Sequence, residues 1–507
     1  MNHRHALLAS GAAGVLALAS IAMATLPASA AATGCSVNYT VQSQWSNGFT
    51  ANVAITNLGA ALSGWTLTFD FPNAGQQVTQ GWSATWTQSG AHVSATSLSW
   101  NGSLGTGASS AIGFAGSWNG ADPVPTSFAL NGTTCTGSVT TPTSSPTTVS
   151  PSPTGSTSPP SDPGGPAPRL HVSGNKIVTS DGEPYRLLGV DRSSGEYACV
   201  QGKGQWDGGP VDQASVDAMK TWNIHSVRIP LNEECWLGLN GSPSGATYQQ
   251  GVKDYVNLLV ANGINPIVDL HWTQGAYTNG PDWHCKDATA TCQKPMPDAQ
   301  YAPQFWTGVA NAFKGNNAVV FDLFNEPYPD LASNWDKTLG WQCWRDGGTC
   351  TGLPYEAAGM QSLVNAVRAT GATNILMLGG LEWANDMREW LTYKPTDPQN
   401  NLAASWHSYS NNACATQSCW DSQVAPVAQQ APVVIGEFGQ DGCGFDYMQQ
   451  LVDWADAHGI GYLAWTWNPW GCTTGAVLIK DWNGTPEPGV GDGLKAHLLS
   501  QDPYRTP

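Results

Sequence analysis

The chain has 507 residues, with 20 Lys+Arg against 37 Asp+Glu and a formal charge of −17 at neutral pH. That balance argues against binding polyanionic nucleic acid, which needs clustered cations, and is compatible with an uncharged polymer. The 24 tryptophans, several set among Gly, Asn and Ser, exceed what buried cores absorb and point to an exposed aromatic surface.

In chain order, residues 1–30 read as an export signal: His3, Arg4 and His5, an apolar stretch from Leu7 to Leu26, and Ala28-Ser29-Ala30 as a cleavage site. The mature chain is expected to be secreted and extracellular. No later segment is long and apolar enough to span a membrane. From Cys35 to Cys135, short alternating runs such as Thr50–Thr56 and Gly64–Phe69, separated by Asn-Gly and Gly-rich turns, predict an all-β sandwich over residues 34–137. Residues 138–168 are almost wholly Thr, Ser, Pro and Gly; they cannot bury a core and read as a linker.

Residues 169–500 change pattern. Apolar runs at Arg186–Val190, Ser226–Pro230, Asn265–Leu270, Val319–Asn325, Ile375–Gly379, Ala403–Tyr409, Val433–Glu437 and Gly461–Trp467 alternate with amphipathic stretches. The amphipathic ones are Val211–Trp222, Tyr255–Asn262, Gln304–Phe313, Glu356–Ala369 and Tyr447–His458. Eight such runs with amphipathic stretches between them predict an α/β fold, a (β/α)8 TIM barrel. A doubly wound sheet is the alternative, but polar residues recur at nearly every strand end, as a barrel mouth requires.

The 12 cysteines form an even set in a chain read as exported, which predicts disulfides. Closeness and shared loops give Cys35–Cys135, Cys199–Cys235, Cys285–Cys292, Cys343–Cys350, Cys414–Cys419 and Cys443–Cys472, although sequence alone does not fix connectivity. No metal-ligand motif such as His-Glu-x-x-His occurs, and no metal or cofactor is expected.

The predicted strand ends carry Arg228, His271, Asn325, Glu326, His407, Tyr409, Glu437 and Trp467. A carboxylate is costly to bury, so Glu326 and Glu437, each closing an apolar run, suggest a paired acid and nucleophile. Each residue alone has a structural explanation: an ion pair, a core histidine, a packed ring. As a set they are what hydrolysis of a glycosidic bond needs, one acid to protonate the leaving oxygen and one carboxylate to attack the anomeric carbon.

With Val227-Arg228-Ile229-Pro230, Asp269-Leu270-His271-Trp272, Phe324-Asn325-Glu326-Pro327, Trp406-His407-Ser408-Tyr409, Ile435-Gly436-Glu437-Phe438-Gly439 and Trp465-Thr466-Trp467-Asn468-Pro469, the chain from about Leu170 to Leu499 resembles glycoside hydrolase family 5, the retaining β-glycanases. The resemblance implies Glu326 as acid/base and Glu437 as nucleophile, with Arg228 and Tyr409 flanking Glu437. It also implies Asn325 on the sugar 2-hydroxyl, His271 and His407 lining the subsite of the attacked sugar, and Trp467 as its floor. Trp465 competes for that last role.

Residues 34–137 resemble a family 2 carbohydrate-binding module, carried by Cys35 and Cys135, Gln44–Phe49, Gly81–Thr85 and Ser99–Ser103. Trp45, Trp82 and Trp100 are its expected cellulose-binding face, since indoles stack on the apolar faces of a β-1,4-glucan. Trp65 reads as core, because Leu67 and Phe69 share its face, while Trp86 and Trp118 stay open. The whole reads as a monomeric, secreted endo-β-1,4-glucanase (cellulase) acting by a retaining mechanism on cellulose or a related β-1,4-linked polysaccharide. An endo-β-1,4-mannanase or other β-glucan hydrolase on the same barrel is the alternative. A non-catalytic cellulose-binding protein is disfavoured by the intact glutamate pair.

Overall fold

The computed structural model describes residues 34–45, 48–73, 75–98, 101–119, 123–140, 166–242, 245–277, 287–473 and 476–505. The export-signal segment, most of the linker, Trp100 and Cys285 lie outside them. The chain divides into two compact units, Met1–Gly155 and Ser156–Pro507.

In the first unit two five-stranded sheets make a sandwich. One runs, edge to edge, Thr136–Thr140, Cys35–Trp45, Gly48–Asn57, Ser109–Ser117 and Gln77–Trp82; the other runs Thr85–Ser89, His92–Thr96, Thr66–Asp70, Phe128–Leu130 and Thr133–Thr134. Side chains alternate across each strand, so Val37, Tyr39, Phe49, Ala51, Val53, Ile112 and Phe114 bury one face against Leu67, Phe69, Val93, Ala95 and Phe128 of the other sheet. Trp65 is buried among them and donates its indole N–H to the Asn101 carbonyl at 2.8 Å, which removes the cost of an unpaired buried donor.

In the second unit eight parallel strands close a barrel. They are numbered here β1 (Leu188–Asp191), β2 (Ser226–Asn232), β3 (Asn265–Trp272), β4 (Val320–Asp322), β5 (Leu376–Gly379), β6 (Leu402–Tyr409), β7 (Val433–Gly439) and β8 (Gly461–Ala464). Parallel strands need helical crossovers, and amphipathic helices α1 (Gln213–Lys220), α2 (Gly245–Ala261), α3 (Ala302–Phe313), α4 (Met360–Ala369), α5 (Asp446–Ala457) and α6 (Val490–Leu499) serve that purpose with shorter turns. Helix α3 shows how one such element positions the site. Pro303 sits in its first turn, where no N–H is needed, and Phe305, Trp306, Val309, Ala310 and Phe313 form its buried stripe. Trp306 then donates to the Leu323 carbonyl at 2.9 Å, fixing the chain just before Asn325 and Glu326.

The barrel interior is layered. A hairpin of Leu170–Ser173 and Lys176–Thr179 brings Leu170 and Ile177 against Ile267, Val320, Met377, Ala403, Val434 and Leu463, an apolar plug at the N-terminal ends of the strands. Period-two alternation carries the same faces upward from Ile267 to Asp269 to His271, from Val320 to Asp322, and from Ala403 to Ser405 to His407. The interior therefore passes from hydrocarbon to charge to the polar strand ends along its own axis.

Some boundaries differ from expectation. Ala167 already donates its backbone N–H to Val260 at 2.8 Å and Pro168 accepts from Asn265 at 2.9 Å, so the end of the expected linker packs on the barrel. The stretch from Glu356 is not helical at its start: Glu356–Ala358 pairs with Gly347–Thr349, and α4 begins only at Met360. Cross-strand pairing there overrides local helical periodicity. The structure joins Cys35 to Cys135, Cys199 to Cys235, Cys343 to Cys350, Cys414 to Cys419 and Cys443 to Cys472, and Cys292 is also disulfide-bonded. Among the described residues no helix is long and apolar enough to cross a membrane.

Candidate active site

Glu326 lies in the turn after β4 and Glu437 on β7, and the closure of the barrel brings them together. One carboxylate oxygen of each, with a ring nitrogen of His407, falls within 4.8 Å of the others. Arg228 Nη1 donates to Glu437 Oε1 at 2.7 Å, and the Tyr409 hydroxyl donates to Glu437 Oε2 at 2.9 Å. Asn325 accepts from Arg228 Nη2 at 2.8 Å through its side-chain oxygen. His407 Nδ1 is 3.1 Å from Glu326 Oε1 and 3.8 Å from Glu437 Oε2. His271 bonds Asp269 through Nδ1 at 2.6 Å and stacks on Trp465, with ring centres 5.8 Å apart. Gly436 is required beside this group: a Cβ there would stand 2.5 Å from Ser405 Oγ and 2.9 Å from His407 Nε2.

Burial raises the pKa of both glutamates, but unequally. Glu326 is pushed well above the usual carboxylate range by burial and then by the charge of Glu437. Glu437 is raised by burial, but Arg228 and the Tyr409 hydroxyl favour its charged form. The environments thus separate the two groups, Glu326 being raised well above the carboxylate range while Arg228 and Tyr409 limit the rise of Glu437. Burial holds both histidines neutral, His271 with a pKa lowered to about 4 and His407 well below its ordinary value.

Trp467 does not floor the site. It is fully buried, packed edge-on against Trp222 at 4.9 Å, whereas Trp465 is partly open and lies on His271. The sequence reading ran this strand from Gly461 to Trp467, but β8 ends at Ala464 and its alternation does not extend to the two tryptophans.

Four further residues at the site were not among the candidates read from the sequence. Asp191, Asp269 and Asp322 are buried around Arg228, at 3.1, 3.2 and 2.9 Å, so one guanidinium faces these three aspartates as well as Glu437. Burial raises Asp269 and Asp322 to about 7, and Asp191 well above its ordinary value, while the same carboxylates hold Arg228 charged against its own burial. Asp269 and Asp322 interrupt apolar runs, the signal that could have found them. Gln293 donates to the Glu326 carbonyl at 3.0 Å and accepts from Asn325 at 3.1 Å; it comes from a loop without periodicity.

Glu326, His407 and Glu437 have the donor types and spacing of a cation site. The fit is poor, because Arg228 already presents a positive charge to Glu437 and an ion would stand against it.

On the sandwich, Trp82 lies opposite Gly113, where a Cβ would meet the indole at 2.4 Å, so the ring rests on bare backbone. Gly113 alternates with inward Ile112 and Phe114, which puts Trp82 on the outer face. Trp45 pairs with Gly48, and Gly48 with Ser117. Trp86 backs Trp82 from within: its ring centre is 4.9 Å from that of Phe114 and its N–H donates to the Trp82 carbonyl at 3.2 Å. Trp118 packs at the edge of the core.

A closed (β/α)8 barrel whose mouth holds two differently tuned carboxyls is the architecture of a glycoside hydrolase. Comparison with known proteins makes this specific. The family model described as cellulase (glycosyl hydrolase family 5) matches residues 178–471, and the cellulose binding domain model matches residues 35–135. Endoglucanase CelA of Streptomyces lividans is 32% identical over 478 residues, covering 91% of this chain and 90% of that protein. Exoglucanase B of Cellulomonas fimi is 55% identical over 103 residues, which are 20% of this chain and 9% of that protein. The crystal structure of a beta-glucanase from Saccharophagus degradans shares the fold at a TM-score of 0.50 and 20% identity, covering 66% of this chain and 93% of that one. The chain belongs to glycosyl hydrolase family 5, the cellulases, and carries an N-terminal cellulose-binding domain.

Proposed function

We propose that this protein is a secreted endo-β-1,4-glucanase that cleaves β-1,4-glucan with retention of anomeric configuration, Glu326 acting as acid/base and Glu437 as nucleophile. One observation carries the reading: the facing carboxylate oxygens are within 4.8 Å. Retaining glycosidases hold their carboxyls about 5–5.5 Å apart, and inverting ones about 6.5–9.5 Å to admit a water. The protonated Glu326 gives its proton to the glycosidic oxygen while Glu437 attacks the anomeric carbon. Once the ester forms, the Glu437 charge that helped raise the Glu326 pKa is gone, and Glu326 becomes the base that activates water. Asn325, held by Arg228, is placed for the sugar 2-hydroxyl, and Trp465 with His271 lines the subsite of the attacked sugar.

The endoglucanase named among the relatives supports the glucan assignment, and the export-type N-terminus with its disulfides supports secretion. Reducing-sugar release should be fastest on carboxymethyl cellulose or mixed-linkage glucan. Faster release from galactomannan in a parallel assay would overturn the glucanase reading in favour of a mannanase.

Trp45, Trp82 and Trp100 are assigned to one cellulose-binding face. Aromatic stacking is worth about 0.5–1.5 kcal/mol per pair beyond area burial, so Trp82→Ala should weaken adsorption to crystalline cellulose about two- to tenfold. Hydrolysis of soluble substrate should be unchanged. A triple Trp→Ala variant that sediments with cellulose as well as the parent would remove the face from those residues.

A further inference from the structure

The side-chain amide of Asn325 is held from both ends. Arg228 Nη2 donates to its oxygen at 2.8 Å, and its own Nδ2 donates to Gln293 Oε1 at 3.1 Å. Gln293 Nε2 donates in turn to the Glu326 carbonyl at 3.0 Å. The ends of this chain set its direction. A guanidinium can only donate and a backbone carbonyl can only accept, so neither amide can turn over without setting donor against donor or acceptor against acceptor.

Gln293 is itself tied down through the backbone. It stands in the loop between β3 and α3, directly after the disulfide-bonded Cys292. Tyr328, in the turn after β4, donates its hydroxyl to the Gln293 carbonyl at 3.0 Å and its N–H to the Pro295 carbonyl at 3.0 Å. Earlier in the same loop, the Ala290 N–H and Gln274 Nε2 donate to Glu234 Oε2, just beyond β2, at 3.1 and 2.9 Å. The loop is thus laced to the turns on both sides of it. This matters because the terminal torsion of an asparagine is soft. The Arg228 bond alone would leave the Asn325 amide free to turn about it, whereas the Gln293 bond at the opposite end fixes its plane. The second Nδ2 hydrogen of Asn325 has no acceptor among the described residues.

We propose that Gln293 is a positioning residue for glycan cleavage: it fixes the Asn325 amide so that the remaining N–H meets the 2-hydroxyl of the attacked sugar. The inference rests on the glycanase reading above, in which Asn325 takes that contact. Hydrogen bonds to this hydroxyl strengthen as the anomeric carbon gains positive charge, so an error in the donor's direction is felt in the transition state. The Arg228 cation polarises the same amide and makes its N–H a better donor. Arg228 supplies the charge and Gln293 the direction.

The test uses the full-length protein and two substrates, dinitrophenyl β-cellobioside and its counterpart with hydrogen in place of the 2-hydroxyl on the attacked sugar. Their leaving group needs little protonation, so the acidity of Glu326 does not enter the first step, which kcat/KM reports. The ratio of the two kcat/KM values is independent of the fraction of folded enzyme. Its change from parent to variant also cancels the greater intrinsic lability of the deoxy sugar. Gln293→Met should lower the ratio of hydroxylated to deoxy substrate about two- to tenfold, the worth of one hydrogen bond. Asn325→Ala should lower it at least as far, and adding Gln293→Met to Asn325→Ala should lower it no further. An unchanged ratio in Gln293→Met, with Asn325→Ala lowering it, overturns the positioning role. An equal drop from Gln293→Met with and without Asn325 overturns it too, because Gln293 would then act by another route. A ratio unchanged in both single variants removes Asn325 from the 2-hydroxyl, and a parent that cleaves neither glycoside overturns the glucanase reading; the positioning role falls with either.

Discussion

Glu437→Ala should abolish turnover even of an aryl cellobioside with an activated leaving group, because nothing remains to form the glycosyl–enzyme ester. Glu326→Ala should behave differently. A leaving group of low pKa needs little protonation, so the first step survives, the ester accumulates and steady-state rate falls at the second step. General acid/base assistance contributes on the order of 10²–10⁴-fold, which sets the size of the deficit on unactivated glycan. Added azide should restore turnover of Glu326→Ala and yield the β-glycosyl azide, since azide needs no base to attack the ester. Glu437→Ala should give at most an α-azide, formed directly in the vacated space. Rescue in Glu437→Ala with none in Glu326→Ala would exchange the two roles. An inverted anomer from the unmodified enzyme, followed by NMR, would end the retaining mechanism.

What the sequence made legible, and what it hid, divides along the range of the interactions. The eight strands and the sandwich announced themselves because apolar periodicity is local, and a barrel follows from repeating one strand–helix unit. Arg228, His271, Asn325, His407 and Tyr409 could be read as candidates because a polar residue in an apolar strand is itself conspicuous. Their spacing around Glu326 and Glu437 could not be read, since it depends on register across β2, β3, β4, β6 and β7. The choice between Trp465 and Trp467 failed for a local reason: period-two alternation was extended past Ala464, where the strand ends. The Glu326 pKa is raised more by burial than by the neighbouring charge of Glu437. Burial is a property of the whole barrel mouth and leaves no trace in a seven-residue motif. The backbone after β5, where Glu382, Trp383 and Ala384 all have positive φ, was invisible for a related reason, because no glycine or asparagine stands among them to signal it.

Arg228→Met should cost both activity and stability, and the stability loss should depend on pH. For activity, Glu437 loses a donor at 2.7 Å that favours its anion, a loss comparable to deleting a preorganised donor, about 10²–10³-fold in kcat. The acid limb of the rate profile should move up in pH with it. For stability, removing one partner of a buried ion pair typically costs about 3–5 kcal/mol when the remaining charge stays buried. Here the remaining groups can escape that cost by protonation. Asp269 and Asp322 have folded pKa values raised to about 7 by burial, against about 3.9 in an unfolded chain. The folded state therefore binds more protons than the unfolded one, and the stability linked to these groups is full below about pH 4 and lost as pH rises through about 7. Without Arg228, which lowers both values, they should rise further and the loss should steepen. Calorimetric melting of parent and Arg228→Met from pH 4.5 to pH 8.5 should show Tm curves close together at the acid end and diverging toward the alkaline end. Adding Asp322→Asn to Arg228→Met should recover part of the alkaline loss, because the substitution removes a carboxyl that the missing cation no longer offsets. A Tm difference that stays constant across this range, with no recovery in the double variant, would mean that the aspartates do not exchange protons with folding, and that Arg228 contributes to stability through packing alone.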